Sequence, residues 1–261
     1  MTDQEAALTI RNLSLRFRGL VALEGVSFEV PAGATFGIVG PNGAGKTALL
    51  NCISGIYRPS QGSIRVFGTE VVTRAPHRIS ALGIARTFQS TEHFSEFSVL
   101  DYVLLGRIDH LRCSVTGSLL LWPARQRLER QERRVVMDVL ESLGLAEHAS
   151  SRLGQLPYGI QKRVDIARAV AAAPKMMLVD EPTSGTTTSE REDVSRAIDS
   201  AAQSGITIVV IDHDVSFVRR HCGTIVVMDS GRQLALGAPV EVLQRPDVIE
   251  AFLGPSLAAG N

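Results

Sequence analysis

The run Gly40-Pro41-Asn42-Gly43-Ala44-Gly45-Lys46-Thr47 sets glycines, a lysine and a hydroxyl at the spacing of a loop that wraps phosphate. Glycines let successive backbone N–H groups turn inward around an anion, and a helix starting at the loop adds the partial positive charge of its N-terminus. Lys46 supplies a full charge to neutralise the outer phosphates, and Thr47 offers a hydroxyl to Mg2+. Far downstream, the apolar run Met176-Met177-Leu178-Val179 ends in Asp180 and Glu181. Beside a phosphate loop, Asp180 would hold Mg2+ in its outer shell and Glu181 would polarise water for in-line attack on a terminal phosphate. Without the loop, such an acidic pair would read as an ordinary turn or helix cap.

These groups need a scaffold that brings distant segments to one edge. Residues 34–39 form a short apolar run ending at Gly40, the pattern of a strand covered on both faces, and a helix is predicted over 46–53. Residues 176–179, 206–211 and 224–228 read as further buried strands with helical stretches between them, which predicts a parallel α/β sheet. Upstream, Leu8, Ile10, Leu13, Leu15 and Phe17, then Val26, Phe28 and Val30, alternate as strands with one covered face. Residues 86–159 lack a comparable β run and read as a helical insertion. Within it Leu128, Val135, Val139 and Leu143 fall near one helix face, and Arg125, Arg127, Arg130, Arg133 and Arg134 mostly cover the others. That basic cluster fits either a solvated face or a docking surface.

Composition narrows the classes. Apolar residues make up 44% and charged residues 21% of 261, which excludes disordered and collagen-like chains. Lys plus Arg and Asp plus Glu are 27 each, so no global positive field gathers nucleic acid. Cys52, Cys113 and Cys222 are too scattered for a zinc or redox motif and read as inert thiols. The acidic opening Met1-Thr2-Asp3-Gln4-Glu5 lacks the features of a secretory signal, and the longest apolar runs are too short to span a bilayer. A cytosolic chain is expected.

With these motifs in order, the sequence from about Leu8 to Gly254 resembles the ATP-binding subunit of an ABC transporter. The resemblance implies an α/β P-loop NTPase fold: a mostly parallel core sheet, an N-terminal antiparallel β part and a helical insertion. It implies a single ABC ATPase domain over 1–261, with the α/β core at about 1–85 and 160–254, the helical part at about 86–159 and a flexible tail at 255–261. It also implies roles. Phe17 would stack on adenine; Gln89, in Arg86-Thr87-Phe88-Gln89, would reach Mg2+ or the attacking water; His213, in Ile211-Asp212-His213-Asp214, would contact the γ-phosphate. Leu156-Pro157-Tyr158-Gly159-Ile160-Gln161 stands where the family carries Leu-Ser-Gly-Gly-Gln, acting on ATP held by a second subunit. Pro157 lacks the serine hydroxyl and Ile160 the glutamine amide. Ser184-Gly185-Thr186-Thr187-Thr188 also departs from the usual pattern linking the two sites.

Within that family, the run 83–89, the Leu-Pro-Tyr-Gly signature, the stretch 237–254 and a helical segment around 111–130 are similar to importers of branched-chain amino acids. The resemblance implies ATP and Mg2+, a second ATPase subunit in a homo- or heterodimer, two transmembrane permeases and, through them, a solute-binding protein. The chain would sit at the cytoplasmic side of the plasma membrane. A lipid or lipopolysaccharide exporter with the same catalytic residues, and a nucleotide-binding regulatory module with little hydrolysis, remain open alternatives. A soluble ABC protein acting on DNA or ribosomes is disfavoured by the neutral charge.

Overall fold

The computed structural model describes residues 6–88, 90–108 and 122–253, with the side chains of 122–125 and 253 excepted. Gln89, Cys113, residues 1–5 and 111–121, and the 255–261 tail lie outside the described residues. Two compact units emerge. The first takes in Met1–Arg86, Lys175–Thr183 and Ala202–Asn261; the second takes in Thr87–Pro174 and Ser184–Ala201.

The first unit carries two sheets. In the four-stranded sheet, β1 (Ala6–Phe17) lies between β2 (Leu20–Pro31) and β4 (Gln61–Val66), and β5 (Thr69–Glu70) closes the edge, with every pairing antiparallel. The buried side chains of β1 step from Leu8 and Ile10 to Leu13 and Leu15. The spacing slips by one residue between Ile10 and Leu13, where the register shifts and Asn12 takes a left-handed φ of 46°. Arg18-Gly19 joins β1 to β2 with both φ values positive, the two-residue turn whose twist suits a hairpin. Phe67-Gly68 does the same between β4 and β5.

The six-stranded sheet runs β10-β9-β3-β8-β7-β6. Its members are β3 (Thr35–Val39), β6 (Ile84–Arg86), β7 (Met176–Asp180), β8 (Thr207–Ile211), β9 (Thr224–Asp229) and β10 (Arg232–Gly237). All are parallel except the edge strand β10, which returns from β9 through Ser230-Gly231. Every residue of β7 and β8 is buried, which explains their unbroken apolar runs. Phe36, Ile38, Leu178, Val209, Ile211 and Val226 join Leu49, Leu50 and Ile53 of helix α1 (Lys46–Ile53) in one core with the inner faces of β1 and β2. Cys52 and Cys222 are buried free thiols, and burial pushes them up to about 11 and about 12. The remaining helices of this unit are α2 (Pro76–Ser80), α7 (Val215–His221), α8 (Pro239–Val242) and α9 (Pro246–Leu253).

The second unit is helical, built on α3 (Val99–Leu104), α4 (Trp122–Ser142) and α5 (Tyr158–Ala171), with most of α6 (Thr188–Gln203). Its boundary differs from the expected 86–159, because α5 packs against α3 and α4. Tyr102 Oη donates to Asp165 Oδ1 at 2.7 Å, and Arg107 Nη1 donates to the Ala171 carbonyl at 3.0 Å. Of the expected face, Leu143, just past the end of α4, is buried, whereas Leu128, Val135 and Val139 are only half-buried. Val136 and Leu140 are fully buried, and Glu132 turns inward with them because Arg107 Nε pairs with it at 2.5 Å. Arg127, Arg130 and Arg134 are exposed, whereas Arg133 bonds Asp101 and Glu129. Among the described residues no helix is long and apolar enough to cross a membrane.

Candidate active site

Three adjacent parallel strands, β3, β8 and β7, end at the same edge, with Ile38 opposite Ile211 and Ile211 opposite Asp180. Ligands of open α/β sheets bind outside such carboxyl ends. The loop 40–47 leaves β3 there and opens α1. Gly40 has φ 153°, and a Cβ on it would stand 2.1 Å from the Met228 carbonyl oxygen; one on Gly45, at φ 96°, would stand 2.7 Å from that of Ala22. Only glycine allows this close backbone approach. The turn is fixed from behind: Gly231 N–H donates to Ala44 O at 3.1 Å, and Glu24 N–H to Gly231 O at 2.8 Å.

Lys46 is buried and its Nζ donates to the carbonyls of Gly40 (2.7 Å) and Pro41 (2.9 Å). Burial lowers its pKa, against the opposing pull of Glu181, Asp212 and Asp180. Asn42, Gly43 and Thr47 are exposed, and the first turn of α1 contains no acid. A loop with backbone donors, a cation and an acid-free helix start fits an anion.

Asp180 ends β7, nearly buried, and its Oδ2 receives Arg86 Nη2 at 3.3 Å. Nη1 of the same arginine donates to Asn51 Oδ1 of α1 at 2.8 Å, so Arg86 ties the metal-binding candidate to the helix of the phosphate loop. The next residue, Glu181, has a left-handed φ of 46°, rare for a glutamate, and its N–H donates to Ile211 O at 2.7 Å. Its Oε1 lies 3.8 Å from Nδ1 of His213, a half-exposed side chain just past β8. Beside His213, Asp212, with no exposed surface, accepts from Thr183 Oγ1 (2.9 Å), His213 N–H (2.7 Å) and Asp214 N–H (2.9 Å). Asp214 in turn caps α7 by accepting from Ser216 and Phe217 N–H.

Phe17, at the end of β1, is 41% exposed and meets the Tyr57 ring edge-on at 5.1 Å between centroids. The donor set also fits Mg2+: a hydroxyl at Thr47 and a carboxylate at Asp180 are hard oxygen groups that ion takes beside phosphates, directly or through its bound waters. Sequence reading missed Arg86, Tyr57, Thr183 and Asp212. Of these only Asp212 carried a signal, as an acid directly beside the histidine.

The segment 156–161 belongs to the helical unit. Pro157 stands at the N-cap of α5 with no side-chain cap, and exposed Tyr158 lies over Gly185. Gly159 N–H donates to Glu190 Oε1 at 3.1 Å, while Glu190 Oε2 accepts from Thr187 N–H and Oγ1. Gln161 turns back to the Leu156 carbonyl and accepts from Thr91 Oγ1, and Ile160 is half-buried. Just before Gln89, Phe88 N–H donates to Asp165 Oδ2 at 2.6 Å.

The family model described as ABC transporter matches residues 23–184. The high-affinity branched-chain amino acid transport ATP-binding protein BraF of Pseudomonas aeruginosa is 36% identical over 248 residues, 95% of this chain and 97% of that protein. The corresponding LivG protein of Escherichia coli is 33% identical over the same shares. Among solved structures, the ADP conformation of an ATP-binding cassette of an ABC transporter is 30% identical, with a TM-score of 0.84 over 95% of this chain and 99% of that one.

Proposed function

The chain belongs to the ABC transporter family, and on that premise we propose that it is the ATP-hydrolysing subunit of an importer of branched-chain or related amino acids. The observation that carries the hydrolytic reading is the arrival of the phosphate loop, Asp180, Glu181 and His213 at the ends of three neighbouring parallel strands. The backbone N–H groups of Gly40, Pro41 excepted, through Thr47 and the Lys46 ammonium hold the phosphates, and Phe17 stacks on the adenine. Thr47 and Gln89, with Asp180 in the outer shell, would hold Mg2+, which when bound neutralises phosphate charge. Glu181 accepts the proton of a water whose oxygen attacks the γ-phosphorus, as the bond from that phosphorus to the β–γ bridging oxygen breaks and ADP leaves. His213 donates toward the γ-phosphate oxygens, and its 3.8 Å approach to Glu181 keeps both groups on one reacting centre.

Signature residues Leu156, Pro157, Tyr158, Gly159, Ile160 and Gln161 act on the nucleotide of a second ATPase subunit, so binding closes a dimer and hydrolysis reopens it. The helical unit passes that motion to two permeases, which receive solute from a solute-binding protein, and the chain works at the cytoplasmic side of the membrane. The names of the relatives support the solute class. The test is co-purification followed by reconstitution: the chain brings down two permeases, and vesicles containing them accumulate radiolabelled leucine only with ATP and the solute-binding protein. Co-purification with a lipid-extracting exporter, or uptake indifferent to ATP, contradicts the proposal.

A further inference from the structure

We infer that Asp212 and Thr183 are positioning residues that hold Glu181 and His213 in their working geometry; the inference rests on the hydrolytic reading of that pair. The β7–β8 ladder ends with Asp180 opposite Ile211, so both reactive side chains stand on segments beyond the last strand pairing. Two links reach across there. One is the Glu181 N–H to the Ile211 carbonyl, and the other is the Thr183 hydroxyl to Asp212 Oδ2, two residues farther along.

Glu181 sits between strand and second link with φ 46°, a conformation that non-glycine residues hold only where the surroundings over-determine it. Fixing Thr183 closes the far side of that turn. The opposite oxygen of Asp212 fixes the other partner, since Oδ1 accepts the N–H groups of His213 and Asp214. One fully buried carboxylate thereby spends each oxygen on a different half of the reacting pair. A buried carboxylate is tolerated only when its oxygens are hydrogen-bonded, so neither link slackens without cost to the other.

The test is Thr183→Val, which keeps the side-chain shape and removes the donor. In the transporter complex we expect kcat for ATP to fall about tenfold, while the Kd for MgATP stays within about twofold of wild type. Thr183→Ser restores turnover. In a Glu181→Gln background, Thr183→Val changes the single-turnover rate by less than about twofold, because the group it positions is already lost. Asp212→Asn, which retains one acceptor, gives an intermediate loss in kcat and decides the matter by the same criteria should the valine variant not fold. Wild-type kcat in both variants, or losses that serine does not repair, overturns the inference. Ordinary turnover in Glu181→Gln alone would instead overturn the hydrolytic reading beneath it.

Discussion

Two helices of this chain begin where a phosphate is expected; neither carries a side-chain cap or an acid in its first turn, and they differ in the charge that meets them. At the start of α1 the first turn holds no acid, Lys46 is buried at the turn, and the glycine loop ahead of it is braced by main-chain bonds to Gly231. At the start of α5 no side chain caps the helix, and the Gly159 N–H is already given to a carboxylate of the same chain, Glu190. A helix N-terminus attracts negative charge in both cases. The first takes that charge from a bound ligand; the second meets part of the demand internally and holds a further anion more weakly. Opening at a phosphate-binding motif therefore does not make two helix starts equal, and the phosphate loop should dominate nucleotide affinity.

Mutations in the two regions should differ accordingly. The largest effect belongs to Glu181→Gln: steady-state ATPase drops by about a hundredfold or more, with MgATP affinity retained, as measured by phosphate release and calorimetry. Next comes Lys46→Ala, which weakens MgATP binding by roughly ten- to a hundredfold, the worth of a lost charge-assisted hydrogen bond. Phe17→Ala costs about three- to tenfold in Kd and Phe17→Trp restores it, since the stacking surface and not the phenyl identity is at issue.

The smallest effect is in the helical unit. Glu190 has its carboxyl held below the usual range by the Thr187 N–H and hydroxyl first, then by the Gly159 N–H. A depressed carboxylate stabilises the fold above its unfolded value, about 4.3, and the contribution fades as pH falls through the folded one. Glu190→Gln should therefore lower the melting temperature by about a degree at pH 7, the group being solvent-screened, and leave it unchanged near pH 3. It should alter MgATP affinity by less than about twofold, well below the Lys46 effect. A loss of affinity at Glu190 that matched the loss at Lys46 would erase the contrast between the two helix starts.

Local chemistry was legible and long-range support was not. The phosphate loop, the Asp180-Glu181 pair and His213 each lie within a short run whose flanking strand is visible as an apolar stretch, so sheet and site could be read together. Arg86 reaches Asn51 from 35 residues away and Thr183 reaches Asp212 across 29, distances over which periodicity carries no information. Part of the α4 face, at Leu128, Val135 and Val139, departs from the sequence pattern for a related reason. Glu132 reads as polar surface until Arg107, on a separate segment, turns it inward and rotates the buried stripe onto Val136 and Leu140. β5 and β6 escaped because they are very short, and β4 and β10 because most of their residues are exposed or half-buried and leave no long apolar run, although Phe67-Gly68 and Ser230-Gly231 marked two of their turns.

The most direct measurement is titration calorimetry of MgATP into the wild-type chain and Glu181→Gln, paired with phosphate release from the same preparations. The account predicts similar binding heats and affinities for both, with turnover present in the first and nearly absent in the second. An absence of binding heat in the wild type, or undiminished phosphate release from the glutamine variant, would contradict it.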